Sequence, residues 1–164
     1  DGELPREQVQ ELNDRGFTKL RVPTDFGGFG LGWEETTELL IELATVDSNI
    51  PQIYRGHLAV VEDARFQYES HRQLAQQDSD LANCKDQLFK AQTYQERLRW
   101  FAQGKLVGNA WTEPGKGSLT QSQTKVKNIN EESVVVEGEK LYTTGSIFAP
   151  AKRSPFYCLG TKRA

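Results

Sequence analysis

Two short segments in the second half of the chain carry residue types that could bind a flat aromatic ligand. They are 108–118, Gly-Asn-Ala-Trp-Thr-Glu-Pro-Gly-Lys-Gly-Ser, and 136–146, Val-Glu-Gly-Glu-Lys-Leu-Tyr-Thr-Thr-Gly-Ser. Each has an aromatic residue within two positions of a hydroxyl residue, and glycines that let a ligand approach the backbone closely. Side chains at i and i+2 of a strand share a face, so Tyr142 and Thr144 are predicted to project together. An aromatic plate beside a hydroxyl donor can hold a polarisable heterocycle.

The first segment also gathers polar atoms at the end of a predicted strand. The same alternation puts Asn109 and Trp111 on one face and Thr112 on the other. Pro114 ends the strand because proline has no N–H to donate to a neighbouring strand. The alternative is that these residues only pack a sheet, since threonine and tyrosine are common in strands for that reason alone.

Both segments resemble motifs of the middle domain of the acyl-CoA dehydrogenase superfamily. Thr112-Glu113-Pro114 with Gly117-Ser118 resembles the motif Thr-Glu-Pro-x-x-Gly-Ser, and Gly138-x-Lys140-x-Tyr142-x-Thr144 resembles Gly-x-Lys-x-aromatic-x-Thr. The chain has tyrosine where the dehydrogenases usually have tryptophan. Residues 20–30 resemble the family's loop between its first helices, and residues 42–50 resemble its next helix junction. The resemblance covers about residues 1 to 150.

The resemblance implies an α+β fold, in which a helical N-terminal domain precedes a truncated, antiparallel, barrel-like β domain. It implies a flavin cofactor, FAD or FMN. It also assigns Ser118 to the substrate and His57 to the catalytic cavity, because His57 follows Gly56 on a helix that the family places there. The implied flavin contacts are Asn109, Trp111, Thr112, Tyr142, Thr144 and Ser146.

Several details resemble the branch of flavin-dependent monooxygenases similar to dibenzothiophene monooxygenase. These are the run 47–50, Gly56-His57, residues 108–110 and residues 142–146. The dehydrogenases' Gly-Ser-Asp is Gly117-Ser118-Leu119 here, which argues against acyl-CoA as the substrate. Two chemistries stay open, oxygenation of a small organic substrate and removal of an α-proton with hydride transfer from an acyl substrate. The base of the second chemistry belongs to a C-terminal helical bundle in the family.

His57 also has a structural interpretation. A histidine beside a cavity can donate or relay a proton at neutral pH. A hydrogen-bonded histidine in a core, or one on the surface, does no chemistry, and the sequence does not separate these interpretations.

Composition excludes several classes of function. The 164 residues carry a net charge of −3 and only scattered Lys-Arg pairs, so no basic stripe is present for nucleic acid. The sequence contains neither an apolar run long enough to span a bilayer nor a signal-peptide pattern, so we expect no membrane partner and a cytoplasmic protein. Cys84 and Cys158 have no other metal-ligating residues near them in the sequence at the spacing of a metal site, so we expect no metal site.

Hydrophobic spacing predicts a helical domain over residues 1–103 and the start of a β domain over 104–164. Thr36, Leu39, Leu40 and Leu43, at i, i+3, i+4 and i+7, predict a helix over 33–46. The other predicted helices are 5–15, a run from about 50, and about 85–102, with a polar stretch at 67–83 that is either an exposed helical insertion or a mobile connection. A β-meander is predicted from runs at 106–107, 124–126, 133–136, 141–144 and 156–159.

We expect the chain to be a fragment, because it is shorter than a typical member of the family that it resembles. The complete protein is then expected to be a homo-oligomer. The alternative is a non-catalytic remnant that acts through protein association. Unpaired strand edges and uncovered apolar surface would make such a remnant adhesive.

Overall fold

The computed structural model describes residues 4–110, 112–115, 123–128 and 134–149. Within these ranges the chain forms four α-helices, three short 3-10 turns and one two-stranded antiparallel sheet. The helices are α1 (Arg6–Asp14), α2 (Trp33–Val46), α3 (Asn49–Gln77) and α4 (Leu81–Phe101), the strands are β1 (Lys125–Asn128) and β2 (Val134–Glu137), and the turns are Phe17–Lys19, Thr24–Phe26 and Ser146–Phe148.

Helices α1 and α2 confirm the helices predicted at 5–15 and 33–46. The leucine face of α2, Leu39, Leu40 and Leu43, packs against the first of two core clusters. Thr36 is fully buried, and its hydroxyl donates to the carbonyl of Gly32, 2.6 Å away. A helix whose apolar face is one stripe must bury that stripe against a neighbour, which here is α3.

The polar stretch at 67–83 is mainly helix. It contains the end of one long helix and the start of the next, with a break at 78–80 between them. Helix α3 continues to Gln77, and α4 begins at Leu81, four residues before the predicted start. Asp80 explains the early start, because its carboxylate accepts a hydrogen bond from the backbone N–H of Ala82 at 3.0 Å. A side-chain acceptor at this position satisfies an N–H that has no partner within the helix.

The core consists of two clusters along α3. In one, the rings of Phe17 and Tyr54 pack edge to face with their centres 4.7 Å apart. Burial raises the pKa of Tyr54, whose hydroxyl donates to Asn13. The buried members of this cluster are Val9, Phe17, Leu20, Ile50, Ile53, Tyr54, Leu58 and Leu106. Those of the second are Val22, Val61, Ala64, Leu98 and Phe101.

The sheet pairs β1 with β2 in an antiparallel register that runs from Lys125 opposite Glu137 to Asn128 opposite Val134. These strands confirm the predicted runs at 124–126 and 133–136. The run at 156–159 lies outside the described residues. The barrel-like β domain and the boundary at residue 104 stay predictions.

Two predicted strands, 106–107 and 141–144, are wrong. The N–H of Val107 is hydrogen bonded to a side chain, that of His57, and not to a neighbouring strand. In the second run Leu141 forms one isolated bridge with Thr112, and the backbone then leaves the extended region at Tyr142, where φ is +55°. A strand needs consecutive extended residues, so the local turn prevents it.

No helix in the described ranges is both long and apolar enough to cross a membrane.

Candidate functional site

The two ring-binding segments lie side by side. The N–H of Asn109 donates to the carbonyl of Thr144 at 3.0 Å, and the N–H of Leu141 donates to the carbonyl of Thr112 at 2.7 Å. In both pairs the residue numbers add to the same value, so the segments run antiparallel. The two pairs are three residues apart, whereas a regular ladder spaces its hydrogen-bonded pairs by two, so the backbone shifts between them. The structure therefore brings three of the predicted flavin-contacting residues together, Asn109, Thr112 and Thr144, although the described residues of the two segments form no continuous strand ladder.

Helix α3 lies directly against these segments through glycines. Gly145 has φ +74°, and a methyl group there would lie 2.9 Å from the carbonyl oxygen of Ile53. A methyl group at Gly56 would lie 2.6 Å from the amide nitrogen of Asn109. Glycine at both positions lets the helix and the segments approach more closely than any larger residue would allow. Asn109 is thereby held at the surface of α3.

His57 joins the helices to the start of the first segment. Its side chain is fully buried and meets the ring of Phe101 edge to face. Nε2 lies 2.6 Å from the carbonyl oxygen of Thr18, and Nδ1 lies 3.2 Å from the backbone N–H of Val107. Because a carbonyl only accepts and an N–H only donates, Nε2 carries the proton and Nδ1 accepts.

The environment of His57 keeps its ring neutral. Burial lowers the pKa of His57 from its ordinary 6.5 to about 4, against a smaller raising effect of the hydrogen bond to Thr18. Both ring nitrogens are occupied by backbone groups, so neither is directed at a ligand. The geometry favours the structural interpretation, and the catalytic role of His57 stays a prediction that nothing in these contacts supports.

Tyr142 does not lie beside Thr144 on one strand face, as the alternation of a strand predicted. Its φ of +55° places it in the left-handed region, and its side chain is 84% exposed. Thr144 is half-buried, and its N–H donates to the carbonyl of Tyr142 at 2.9 Å, closing a tight turn. The alternation of faces holds only for extended backbone, so the prediction that both side chains share a strand face is wrong. The Tyr142 ring is accessible to a ligand from solution.

Glu113 connects three segments of the chain, although its only predicted role was its place in a motif. Its carboxylate accepts from Lys140 Nζ at 2.6 Å, from the Thr124 hydroxyl at 2.6 Å and from the Thr124 N–H at 3.1 Å. The N–H of Gln123 also donates to it. Glu113 lies in one motif and Lys140, of opposite charge, lies in the other. This pair of charges is the feature of the sequence from which the ion pair could have been predicted.

Two surface cavities lie away from the predicted residues. One, of about 550 Å³, opens beside Leu106 and Phe148 and is lined mainly by polar groups of α1 and of the turn after α4. The other, of about 260 Å³, lies between α3 and α4. Neither is lined by a residue that the sequence assigned to flavin, substrate or catalysis. Among the described residues, no group of three or more His, Cys, Asp or Glu side chains could hold a metal.

Comparison with known proteins supports the helical part of this structure. Residues 1–77 match the family model of the acyl-CoA dehydrogenase N-terminal domain. This part of the chain is therefore similar to that family. The match ends at Gln77, where α3 ends, and therefore includes the Gly56-His57 pair but neither ring-binding segment.

A second similarity is to a protein named as a monooxygenase. The chain is 33% identical over 65 residues to a protein of Pseudomonas putida named probable FMNH2-dependent monooxygenase SfnC. The alignment covers 40% of this chain and 16% of that protein, so the chain spans a small part of its relative. No solved structure matches the chain significantly.

These similarities do not test the individual site residues, which stay predictions. Trp111 and Ser118 lie outside the described residues. Ser146 begins the 3-10 turn Ser146–Phe148 and lies against Gly108, where a methyl group would collide with its backbone. Among the described residues, no hydrogen bond involves the side chains of Asn109, Thr112, Thr144 or Ser146.

Proposed function

We propose that this protein is part of a flavin-dependent oxidoreductase, and that the paired segments 108–112 and 141–146 contact the flavin ring. The observation that carries the proposal is the antiparallel pairing, which joins Asn109 to Thr144 and Thr112 to Leu141 through backbone hydrogen bonds. It gathers hydroxyl and amide groups from two motifs that are far apart in the sequence. The superfamily of residues 1–77 supports the choice of a flavin.

The residues present fit a flavin ring in their chemistry. Threonine hydroxyls and an asparagine amide can donate to ring nitrogens and carbonyl oxygens, and here these side chains make no hydrogen bonds within the described part of the chain. The exposed ring of Tyr142 offers an apolar face for stacking. Bound flavin would supply the redox chemistry, and Thr112, Thr144, Asn109 and Tyr142 would bind and orient it.

We favour oxygenation of a small organic substrate over dehydrogenation of an acyl-CoA. The similar protein of Pseudomonas putida is named for reduced FMN and a monooxygenase reaction. The chain also has Leu119 where the dehydrogenase motif has aspartate. For such chemistry the protein's own residues must exclude water from the ring and orient the substrate. FMN is therefore the cofactor that we propose.

A second candidate function, association with another protein without catalysis, is favoured by exposed apolar side chains. Ile41 and Val46 on α2 are 60% and 85% exposed, and Phe66 and Phe89 on the long helices are 65% and 70% exposed. Large exposed apolar side chains are often covered by a partner. This function requires a stable complex and no flavin, so gel filtration and flavin titration of the same sample distinguish the two candidates.

The flavin proposal is tested by titrating the chain with FMN and recording the visible difference spectrum. Thr144→Val should weaken binding several-fold, because one lost hydrogen bond costs about 0.5–1.5 kcal/mol. Thr37→Val, an exposed threonine on α2, is the matched control and should bind as the wild type does. Absence of saturable FMN binding by the wild type would reject the proposal, and equal affinity of both variants would remove Thr144 from the site.

A further inference from the structure

The ion pair between Glu113 and Lys140 occupies the next position in the register that joins the two segments. The backbone hydrogen bond between Leu141 and Thr112 defines that register. The ion pair follows this pair directly, with Nζ and Oε1 2.6 Å apart. The opposed pairs are Asn109 with Thr144, Thr112 with Leu141, and Glu113 with Lys140.

Packing on α3 holds the second segment at Gly145, but few other contacts of the described residues fix the pairing at Thr112 and Leu141. The Thr112–Leu141 bridge is isolated, and the backbone turns away at Tyr142. Leu141 and Tyr142 are 37% and 84% exposed, so the second segment buries little apolar surface here. Register is weakly specified wherever neither face of a strand is buried.

The carboxylate of Glu113 is well placed to supply the missing specificity. Its side chain is only 14% exposed and that of Lys140 is 25% exposed. Besides Lys140 it accepts from the hydroxyl and the N–H of Thr124, the residue before β1. A partly buried carboxylate with several donors has a fixed geometry, unlike an exposed ion pair, which contributes little.

We propose that Glu113 and Lys140 are positioning residues that lock the two segments in register. Lys140 could otherwise be a cation for a ligand phosphate, but its ammonium group is already engaged by Glu113. The lock would keep the hydroxyl of Thr112 opposite the segment that carries Thr144. That consequence for flavin rests on the proposed function, whereas the lock itself is a property of the chain.

The lock is tested by amide hydrogen exchange of the 164-residue chain, measured residue by residue by NMR. In Glu113→Gln and in Lys140→Met, the amides of Leu141 and Asn109 should exchange about tenfold faster, because local opening of the pairing exposes them. The amide of Val107, which is bonded to His57, should not change. Lys140→Arg keeps the charge and should restore slow exchange.

A matched control removes an ion pair of similar length elsewhere. Glu11→Gln breaks the exposed pair with Arg15, which has a 2.7 Å separation, and should leave the Leu141 and Asn109 amides unchanged. Unchanged exchange of those amides in both Glu113→Gln and Lys140→Met overturns the proposal. Equal acceleration of every protected amide, Val107 included, also overturns it, because the pair would then stabilise the fold as a whole.

FMN titration of the same variants keeps this inference separate from the proposed function. If the wild type binds FMN, Lys140→Met should bind several-fold more weakly and Lys140→Arg should bind as the wild type does. If the wild type does not bind FMN, the flavin proposal fails, and the exchange rates alone decide whether the lock exists.

Discussion

The imidazole of His57 is fully buried, and its two nitrogens are hydrogen bonded to backbone groups of Thr18 and Val107. Glu113 is likewise occupied, by Lys140 and Thr124. Both side chains are of types that can act as acids or bases, but their hydrogen-bond partners hold them within the structure. Among the predicted site residues that the structure describes, Asn109, Thr112 and Thr144 of the paired segments have side-chain groups open to a ligand.

Burial of neutral His57 makes stability depend on pH. The pKa of His57 falls from 6.5 to about 4 on folding, so between these values the unfolded chain binds a proton that the folded chain does not. Stability is fully present above pH 6.5 and is lost as the pH falls toward 4, by about 3 kcal/mol from this group.

Urea unfolding of the wild type and of His57→Asn across this pH range isolates the contribution of His57. Carboxylates contribute to both curves, so the quantity to compare is the difference between them. The wild type should lose stability more steeply than the variant. Parallel curves would mean that His57 is not neutral and buried at pH 7.

At the scale of elements, α3 is the support on which the candidate site is built. It presents the carbonyl of Ile53 to Gly145, the backbone of Gly56 to Asn109 and the ring of His57 to Val107. These contacts lie within two turns of one helix. A rigid helix can therefore hold the paired stretches 108–112 and 141–146 even though both lie outside the sheet formed by β1 and β2.

Gly145→Ala should disturb this support more than Gly115→Ala. Both glycines have positive φ, +74° and +102°, so alanine is strained at either position by about 1–2 kcal/mol. Only at Gly145 would the added methyl group also meet the carbonyl of Ile53, at 2.9 Å, whereas nothing lies within 4 Å at Gly115. Thermal unfolding should show a larger loss for Gly145→Ala, and equal losses would argue against close packing of the second segment on α3.

At the scale of the whole molecule, the described residues form a helical unit whose candidate site lies open at its surface. Tyr142 is 84% exposed, and Thr112 and Thr144 are only half-buried. A site that performs oxygenation must exclude water and hold its groups within a fraction of an ångström. The paired segments alone provide contact with a ring but no enclosure.

We therefore predict that this chain by itself has no oxidoreductase turnover, even where it binds FMN. The measurement supplies reduced FMN, oxygen and dibenzothiophene as a probe, and determines the sulfoxide by chromatography. Product should not exceed that formed with free FMN alone. Product that rises in proportion to the chain's concentration would contradict this prediction and would mean that the exposed segments become enclosed, for instance between copies of the chain.

The local sequence was sufficient to predict the helices and the resemblance to a family. The spacing of residues in α2 predicted the helix Trp33–Val46 that forms. This succeeds because a helix places residues three and four apart on the same face, so its pattern is local. The resemblance of residues 20–30 and 42–50 lies within the match to residues 1–77. The ring-binding segments were also visible in the sequence as glycines, aromatics and hydroxyls.

Only the tertiary structure decided how those segments are held. The Lys140–Glu113 bond spans 27 residues and the Val107–His57 bond spans 50, and no local pattern encodes contacts at such separations. The strand predicted at 141–144 does not form, because a hydrogen bond from Thr144 to Tyr142 closes a local turn, after which Gly145 packs against Ile53 of α3. Residue types determined which groups were available for chemistry, and packing across the chain decided which of them are already engaged.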